Sequence, residues 1–229
     1  MNQQLTNSTA HRELKLILAG LGGQGVIFTT RLLAQTAAAL EWPVMVSEIH
    51  GMSQRGGSVT SHLKIGGNGS PLIRRGTADL LLALESNEAI RNLPFLRRGG
   101  VAIINTEQDL PSEIARHLVW LNIQVLSVPA TQMAVELGSA RVSNVIVVGF
   151  AAAHPSLTLS IDALKETLTV VTRRRHELNL RALEAGYHAG ERRLPLVAPR
   201  ELTRSEQFGS RQMPTVYTDS LQQSTEEAG

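Results

Sequence analysis

The chain has 229 residues and not one cysteine. That excludes a disulfide framework, a thiolate nucleophile and any cysteine-ligated iron–sulfur cluster held by this chain. Aromatic residues make up only 3%. The core must therefore be assembled from Leu, Val, Ile and Ala, a composition that suits a mostly parallel sheet covered by helices. No apolar run approaches the ~20 residues of a membrane span. Met1 to His11 is polar and lacks the apolar stretch of a signal peptide, so the expected location is cytoplasmic, with no membrane partner. The formal net charge of +2 is too small to imply a nucleic-acid partner. Basic residues do gather at Arg97-Arg98, at Arg173-Arg174-Arg175 and at Arg192-Arg193. These read as cations at helix ends, where they suit the helix dipole.

What is present is 42% hydrophobic residues and 18% charged ones, the balance of a globular protein. Residues 1–12 read as a flexible leader, 13–194 as one α/β domain and 195–229, rich in Pro, Ser, Gln and Thr, as an extended or disordered tail. Within the domain, Leu14 to Leu18 is a strand, Gly22 to Gly25 a loop, and Val26 to Leu40 a helix by the spacing of its apolar residues. Pro43 stops that helix and Val44-Met45-Val46 opens a second strand, completing a βαβ unit. Val59, Ser61, Leu63 and Ile65 alternate with Thr60, His62 and Lys64, which predicts a strand with one wetter face. Leu80 to Leu84, Val101 to Ile104 and Ile123 to Val128 are further strands, with helices expected over Glu88–Leu96 and Ser112–His117. Beyond residue 130 the chain turns helical, over Thr131–Leu137, Asn144–Ala153, a segment capped by Ser160 and ending near Thr172, and His176–Ala189. A strand over Val145 to Val148 is the alternative for the second of these. The expected architecture is a Rossmann-like open, mostly parallel sheet with helices on both faces and a helical C-terminal part.

Two loops carry chemistry. In the first, Gly20, Gly22 and Gly25 satisfy G-x-G-x-x-G between a strand and a helix, with Gly23 and Gln24 inside the motif. Such glycines allow a tight turn and close backbone approach, and the helix N-terminus presents unpaired N–H groups to an anion such as a phosphate. A tight strand–helix junction without a ligand uses the same residues. The second loop, Ser47-Glu48-Ile49-His50-Gly51-Met52-Ser53-Gln54-Arg55-Gly56-Gly57-Ser58, follows the second strand. In an open α/β sheet, loops at the carboxyl ends of strands build the ligand crevice. Arg55 offers a forked donor for phosphate or carboxylate unless spent on a surface or subunit salt bridge, Gly56-Gly57 permits backbone approach, and His50 titrates near neutrality unless spent on a structural hydrogen bond. Glu48 sits at about the distance where a nicotinamide-binding fold places its ribose-binding acid, but the His50-Gly51-Met52-Ser53-Gln54-Arg55-Gly56-Gly57 run that follows at once is not the usual course of a dinucleotide domain.

Read together, Gly20-Leu21-Gly22-Gly23-Gln24-Gly25 and Glu48-Ile49-His50-Gly51-Met52-Ser53-Gln54-Arg55-Gly56-Gly57-Ser58-Val59 resemble the gamma-type subunit of the 2-oxoacid:ferredoxin oxidoreductases, the indolepyruvate branch most of all. The likeness continues through Asp79-Leu80, Glu85, Asn144 to Gly149 and Asn179 to Tyr187, and so covers about residues 14–190. It implies a reaction in which a 2-oxoacid and coenzyme A give acyl-coenzyme A, carbon dioxide and reduced ferredoxin, with thiamine diphosphate carrying the hard chemistry. The sequence contains no Gly-Asp-Gly…Asn segment for magnesium and thiamine diphosphate. The resemblance therefore implies that these groups and the iron–sulfur clusters sit on a large catalytic partner, with ferredoxin or another acceptor reached through the complex. It places Gly20, Gly22, Gly23, Gln24, Gly25, His50, Gly51, Gln54, Arg55, Gly56, Gly57 and Ser58 near that site, with coenzyme A as the group this chain contacts, and it assigns the chain no catalytic residue and no metal. A self-sufficient nicotinamide-dependent dehydrogenase and a regulatory nucleotide-binding module are the alternatives.

Overall fold

Alternation within the apolar strands decides the layering. The structure, a computed structural model, describes residues 13–50, 56–67, 69–172 and 176–193. All belong to the first of two units into which the chain divides, Met1–Leu194 and Pro195–Gly229. Strand β1 is Leu14–Leu21, β2 Val44–His50, β3 Ser58–Ile65, β4 Ala78–Ala83, β5 Leu96–Asn105 and β6 Gln124–Val128. On β1, β4 and β5 the residues Leu16, Leu18, Leu80, Leu82, Val101 and Ile103 enter one core. Their neighbours Ile17, Ala19, Leu81, Ala83, Ala102 and Ile104 enter a second core on the opposite face. Both sets are buried, as two-sided coverage demands of a parallel sheet. Each such Leu or Ile contributes roughly 1.5–3 kcal/mol by leaving water.

The first face is covered by α1 (Val26–Ala39), α4 (Ala130–Glu136), α5 (Ser143–Ala152), α6 (Ile161–Val171) and α7 (His176–Arg193). The second is covered by α2 (Ser86–Asn92) and α3 (Ser112–Trp120). Helix α5, whose sequence also allowed a strand, is buried along Asn144–Ala151 and crosses α7 at close quarters. A Cβ on Gly149 would overlap the carbonyl oxygen of Leu183, and one on Gly186 would overlap that of Ile146. The two backbones touch because neither glycine has a side chain. Ser160 caps α6 as expected, its Oγ accepting from Ala163 N at 3.2 Å.

The strand order is β2-β3-β1-β4-β5-β6. Strands β1, β4, β5 and β6 run parallel, whereas β3 lies antiparallel between β1 and β2. The βαβ unit therefore exists in sequence, but its two strands are not neighbours: β3 separates them. Three further expectations need correction. The helix expected over Glu88–Leu96 is Ser86–Asn92 followed by a 3-10 turn at Leu93–Phe95, because Pro94 cannot continue an α-helix and Leu96 already pairs in β5. The wetter face of β3 is dry beyond the half-buried Thr60: His62 is 2% exposed and Lys64 9%, and Ile73 and Phe95 close over His62, Ile73 N donating to its Nδ1 at 3.0 Å. Arg97 and Arg98 lie not at a helix end but in β5. Arg192 and Arg193 do occupy the last turn of α7, and Arg173 to Arg175 fall outside the described residues. Among the described residues no helix is long and apolar enough to cross a membrane.

Candidate functional site

The crevice lies over the carboxyl ends of β1 and β4, where helix α1 leaves for one face of the sheet and α2 for the other. The glycine loop is a tight turn. Gln24 Oε1 accepts from Leu21 N at 2.8 Å, so this side chain ties the loop to itself. Gly25, the N-cap of α1, has φ +90°, the left-handed region that favours glycine. A Cβ there would also run into Asn144 at the start of α5, 3.1 Å from its Cγ. Asn144 Nδ2 lies 3.5 Å from Gly25 O and 3.4 Å from Thr29 Oγ1, while Thr29 Oγ1 donates to Gly25 O at 3.0 Å. Asn144 is 4% exposed, and its Oδ1 has no hydrogen-bond partner among the described residues.

The two loops read from the sequence do meet. Gly22 N donates to Gly57 O at 2.8 Å, and a Cβ on Gly22 would stand 3.5 Å from Gly56 N. In a dinucleotide fold that empty position receives a pyrophosphate; here it receives the backbone of Gly56-Gly57. Gly22, Gly23 and Gly56 remain exposed at the rim. Ser58 spends its one donor within the fold, its Oγ donating to Glu88 Oε2 at 2.5 Å. Glu88 is 1% exposed, and its Oε1 accepts from Arg91 Nη1 at 2.6 Å. The Ser58 bond thus pins the second loop to α2. Glu85 caps the same helix, accepting from Glu88 N at 2.9 Å. Further along the edge, Asn105 Nδ2 donates to Leu84 O at 3.1 Å and to Thr131 Oγ1 at 2.8 Å.

Gly51, Gln54 and Arg55 lie outside the described residues, as does the side chain of His50, whose backbone ends β2. Glu48 is on β2 but one strand removed from β1, so it is not beside the glycine loop as an adjacent second strand would place it. The spacing that made Glu48 look like a ribose ligand counts residues along the chain, and the inserted β3 breaks that count. Glu88 carries no local sequence signal for a role at the site. A Glu three residues after a capping Glu reads as helix charge alone, and its bond to Ser58 spans thirty residues.

Electrostatically, α1 has no acidic residue in its first turn, whereas α2 carries Glu88 in its own and is capped by Glu85. The positive end of the fourteen-residue α1 thus has no acidic counter-charge in its own first turn. His62, further along β3, is held below its ordinary pKa by burial, with the charge of Lys64 adding to the effect. Among the described residues no group of three metal-ligating side chains gathers.

Comparison with known proteins gives a consistent picture. Residues 15–189 match the family described as pyruvate ferredoxin/flavodoxin oxidoreductase. Indolepyruvate oxidoreductase subunit IorB of Archaeoglobus fulgidus is 34% identical over 189 residues, 76% of this chain and 94% of that protein. The subunit of the same name from Methanothermobacter thermautotrophicus is 34% identical over 188 residues, 76% of this chain and 96% of its own length. Among solved structures, the keto/oxoacid ferredoxin oxidoreductase gamma subunit of Geobacter sulfurreducens superposes with a TM-score of 0.62 at 23% identity. That match covers 77% of this chain and 98% of the other. The 2-oxoglutarate:ferredoxin oxidoreductase of Magnetococcus marinus, with 2-oxoglutarate, coenzyme A and succinyl-CoA bound, superposes at 0.67 and 21% identity, over 82% of this chain and 32% of that one. Both superpositions bear out the α/β architecture expected from the sequence.

Proposed function

The chain belongs to the pyruvate ferredoxin/flavodoxin oxidoreductase family, and we propose that it is the gamma-type subunit of a 2-oxoacid:ferredoxin oxidoreductase acting on indolepyruvate or a similar aryl 2-oxoacid. The observation that carries this reading is 34% identity, over 94% and 96% of their length and 76% of this chain, to two subunits bearing the indolepyruvate name. The chain is an enzyme component, not a self-sufficient enzyme. Its partner is a large cytoplasmic subunit that holds thiamine diphosphate, magnesium and iron–sulfur clusters and passes electrons to ferredoxin. When bound there, thiamine diphosphate supplies the electron sink for decarboxylation.

This chain's own residues do something narrower. The uncompensated start of α1 and the exposed backbone at Gly22-Gly23 suit a phosphate of coenzyme A. Gly56-Gly57, held by Gly22 and through Ser58 by Glu88, fixes where the loop carrying His50, Gly51, Gln54 and Arg55 ends. Arg55 is assigned the anion, through its paired donors. Gln24, Gly25 and Ser58 shape this cradle without contacting the ligand.

The test is reconstitution. The full chain purified alone should give no 2-oxoacid-dependent dye reduction. Combined with the large subunit, it should support reduction that requires coenzyme A and is fastest with aryl 2-oxoacids. Turnover by the pure chain would overturn the reading.

A further inference from the structure

The amino edge of the sheet, opposite the crevice, carries an arrangement the proposed reaction does not use. Between β4 and β5 the register slips: Ala78 pairs with Leu96, yet Leu80 pairs with Val101. The surplus residues of β5 bulge outward at Arg97-Arg98-Gly99-Gly100. Gly99 takes φ +70° and donates its N–H to Leu121 O at 3.1 Å, which fastens the bulge to the end of α3. Bulges re-aim side chains, and this one lays Arg98 over Trp120, the guanidinium carbon 4.7 Å from the ring centroid. Arg98 Nη2 also donates to Trp120 O at 3.1 Å, and the His117 ring stacks on Trp120 at 5.8 Å. Trp120 nevertheless stays 60% exposed and its neighbour Val119 78%.

The chain has only two tryptophans, and this one is spent on the surface with its rotamer already held. Arg and Trp held in place are what binding hot spots are made of, because little entropy remains to be lost on docking. The charge around them is one-sided. Asp79 on this edge is occupied by Arg97 Nε at 2.7 Å and Lys15 N at 3.0 Å, and Glu13 by Lys15 Nζ at 3.1 Å. Arg98, Arg116 one helical turn before Trp120, and Arg74 and Arg75 form no ion pair with a described residue. The last two lead into the same edge, where Gly76 N donates to Pro94 O. All four are arginines rather than lysines, the cation that interfaces favour. Two copies of so basic a face would repel each other. What covers it must bring carboxylates.

We propose that the Arg98–Trp120 platform docks an acidic face of the large catalytic subunit, with Trp120 and Val119 as the apolar anchor and Arg74, Arg75, Arg98 and Arg116 as the charged rim. The proposal rests on the function assigned above, and it leaves the glycine-loop crevice at the other edge open to coenzyme A.

The experiment titrates the full chain with the purified large subunit at low and at physiological salt, and maps hydrogen exchange in the complex. Wild-type binding should weaken as salt rises. Trp120→Ala and Arg98→Glu should each weaken it by about 30-fold or more, the cost of losing a hot spot. Amides of residues 97–100 and 118–122 should gain protection in the complex. Failure of the wild-type chain to bind overturns the functional reading and the platform with it. Tight binding that neither variant changes, or protection absent from those segments, overturns the platform alone and leaves the function standing. A dimer of the chain by itself, broken by Trp120→Ala, assigns the platform to a second copy and also overturns the proposal. The exchange map uses unaltered protein, so it decides the matter even where a variant folds poorly.

Discussion

Asn144 presses its side-chain amide against Gly25 from 119 residues further along the chain, filling the place where any other residue's Cβ would go. The first turn of α1 and the first turn of α5 are thereby locked together beneath the glycine loop. Gly25→Ala meets two costs, a left-handed backbone and this clash. It should lose roughly 2–5 kcal/mol of stability. Placed in an Asn144→Ala background, the same change should cost only the backbone share, about 1–2 kcal/mol. A double-mutant cycle by urea unfolding measures the difference. Equal costs in the two backgrounds would show that the contact carries no energy.

The crossing of α5 and α7 predicts a second intolerance. Gly186→Ala drives a methyl into the carbonyl of Ile146, and two buried helix backbones can separate only by opening the core around Phe150 and Leu183. Destabilisation of about 3 kcal/mol or more follows. Replacing Val170, 77% exposed, by Ala should change stability by less than about 0.5 kcal/mol. Thermal unfolding of both variants checks the contrast.

Arg55 is the residue whose loss should be felt in activity rather than in folding. If it holds a partly desolvated phosphate, Arg55→Ala should cost roughly 2–5 kcal/mol in kcat/KM for coenzyme A. Arg55→Lys should recover little, because an ammonium lacks the forked pair of donors. Steady-state kinetics of the reconstituted complex, run beside an assembly assay, separates a ligand role from an interface role. Wild-type values in both would assign the residue to solvent.

Two buried histidines predict the acid side of the stability profile. His62 and His154 both sit below the ordinary value of 6.5, each chiefly because burial disfavours the imidazolium. His62 Nδ1 already accepts from Ile73 N, and His154 Nδ1 from Ser156 N. The folded state thus keeps neutral rings while the unfolded chain protonates near 6.5. Stability is complete above that pH and is lost as pH falls through the lower folded values. Urea midpoints should decline below pH 6.5, before carboxylates titrate, and the slope should flatten in a His62→Gln, His154→Gln double variant. An unchanged slope would sink the assignment.

Much of this fold was legible because apolar strands and capped helices announce themselves locally. The Leu80–Leu84 run, the Ser160 cap and the glycine loop before Val26 needed no tertiary information. The placement of β3 did. Alternation identifies a strand but says nothing about which neighbours it takes, and so the dry environment of His62 and the isolation of Glu48 from β1 could not be read. The site was legible in its two loops and illegible in what holds them, since Ser58–Glu88 and Gly25–Asn144 join residues far apart in sequence. Arg97-Arg98 misled for a related reason. A basic pair looks the same in a bulge as at a helix end until the partner strand fixes the register.

The antiparallel strand has a consequence for synthesis. Strand β1 takes its hydrogen bonds from β3 on one side, Leu14 to Leu21 against Ile65 to Ser58, and from β4 on the other. Among the described residues up to His50 it has no partner, because β2 pairs with β3 and not with β1. The sheet cannot be laid down strand by strand as the chain leaves the ribosome. While β1, α1 and β2 wait for residues 58–83, the apolar run from Leu14 to Ala19 lacks both of its described strand partners, and that is the stretch of translation at which a trailing chaperone site has most to cover.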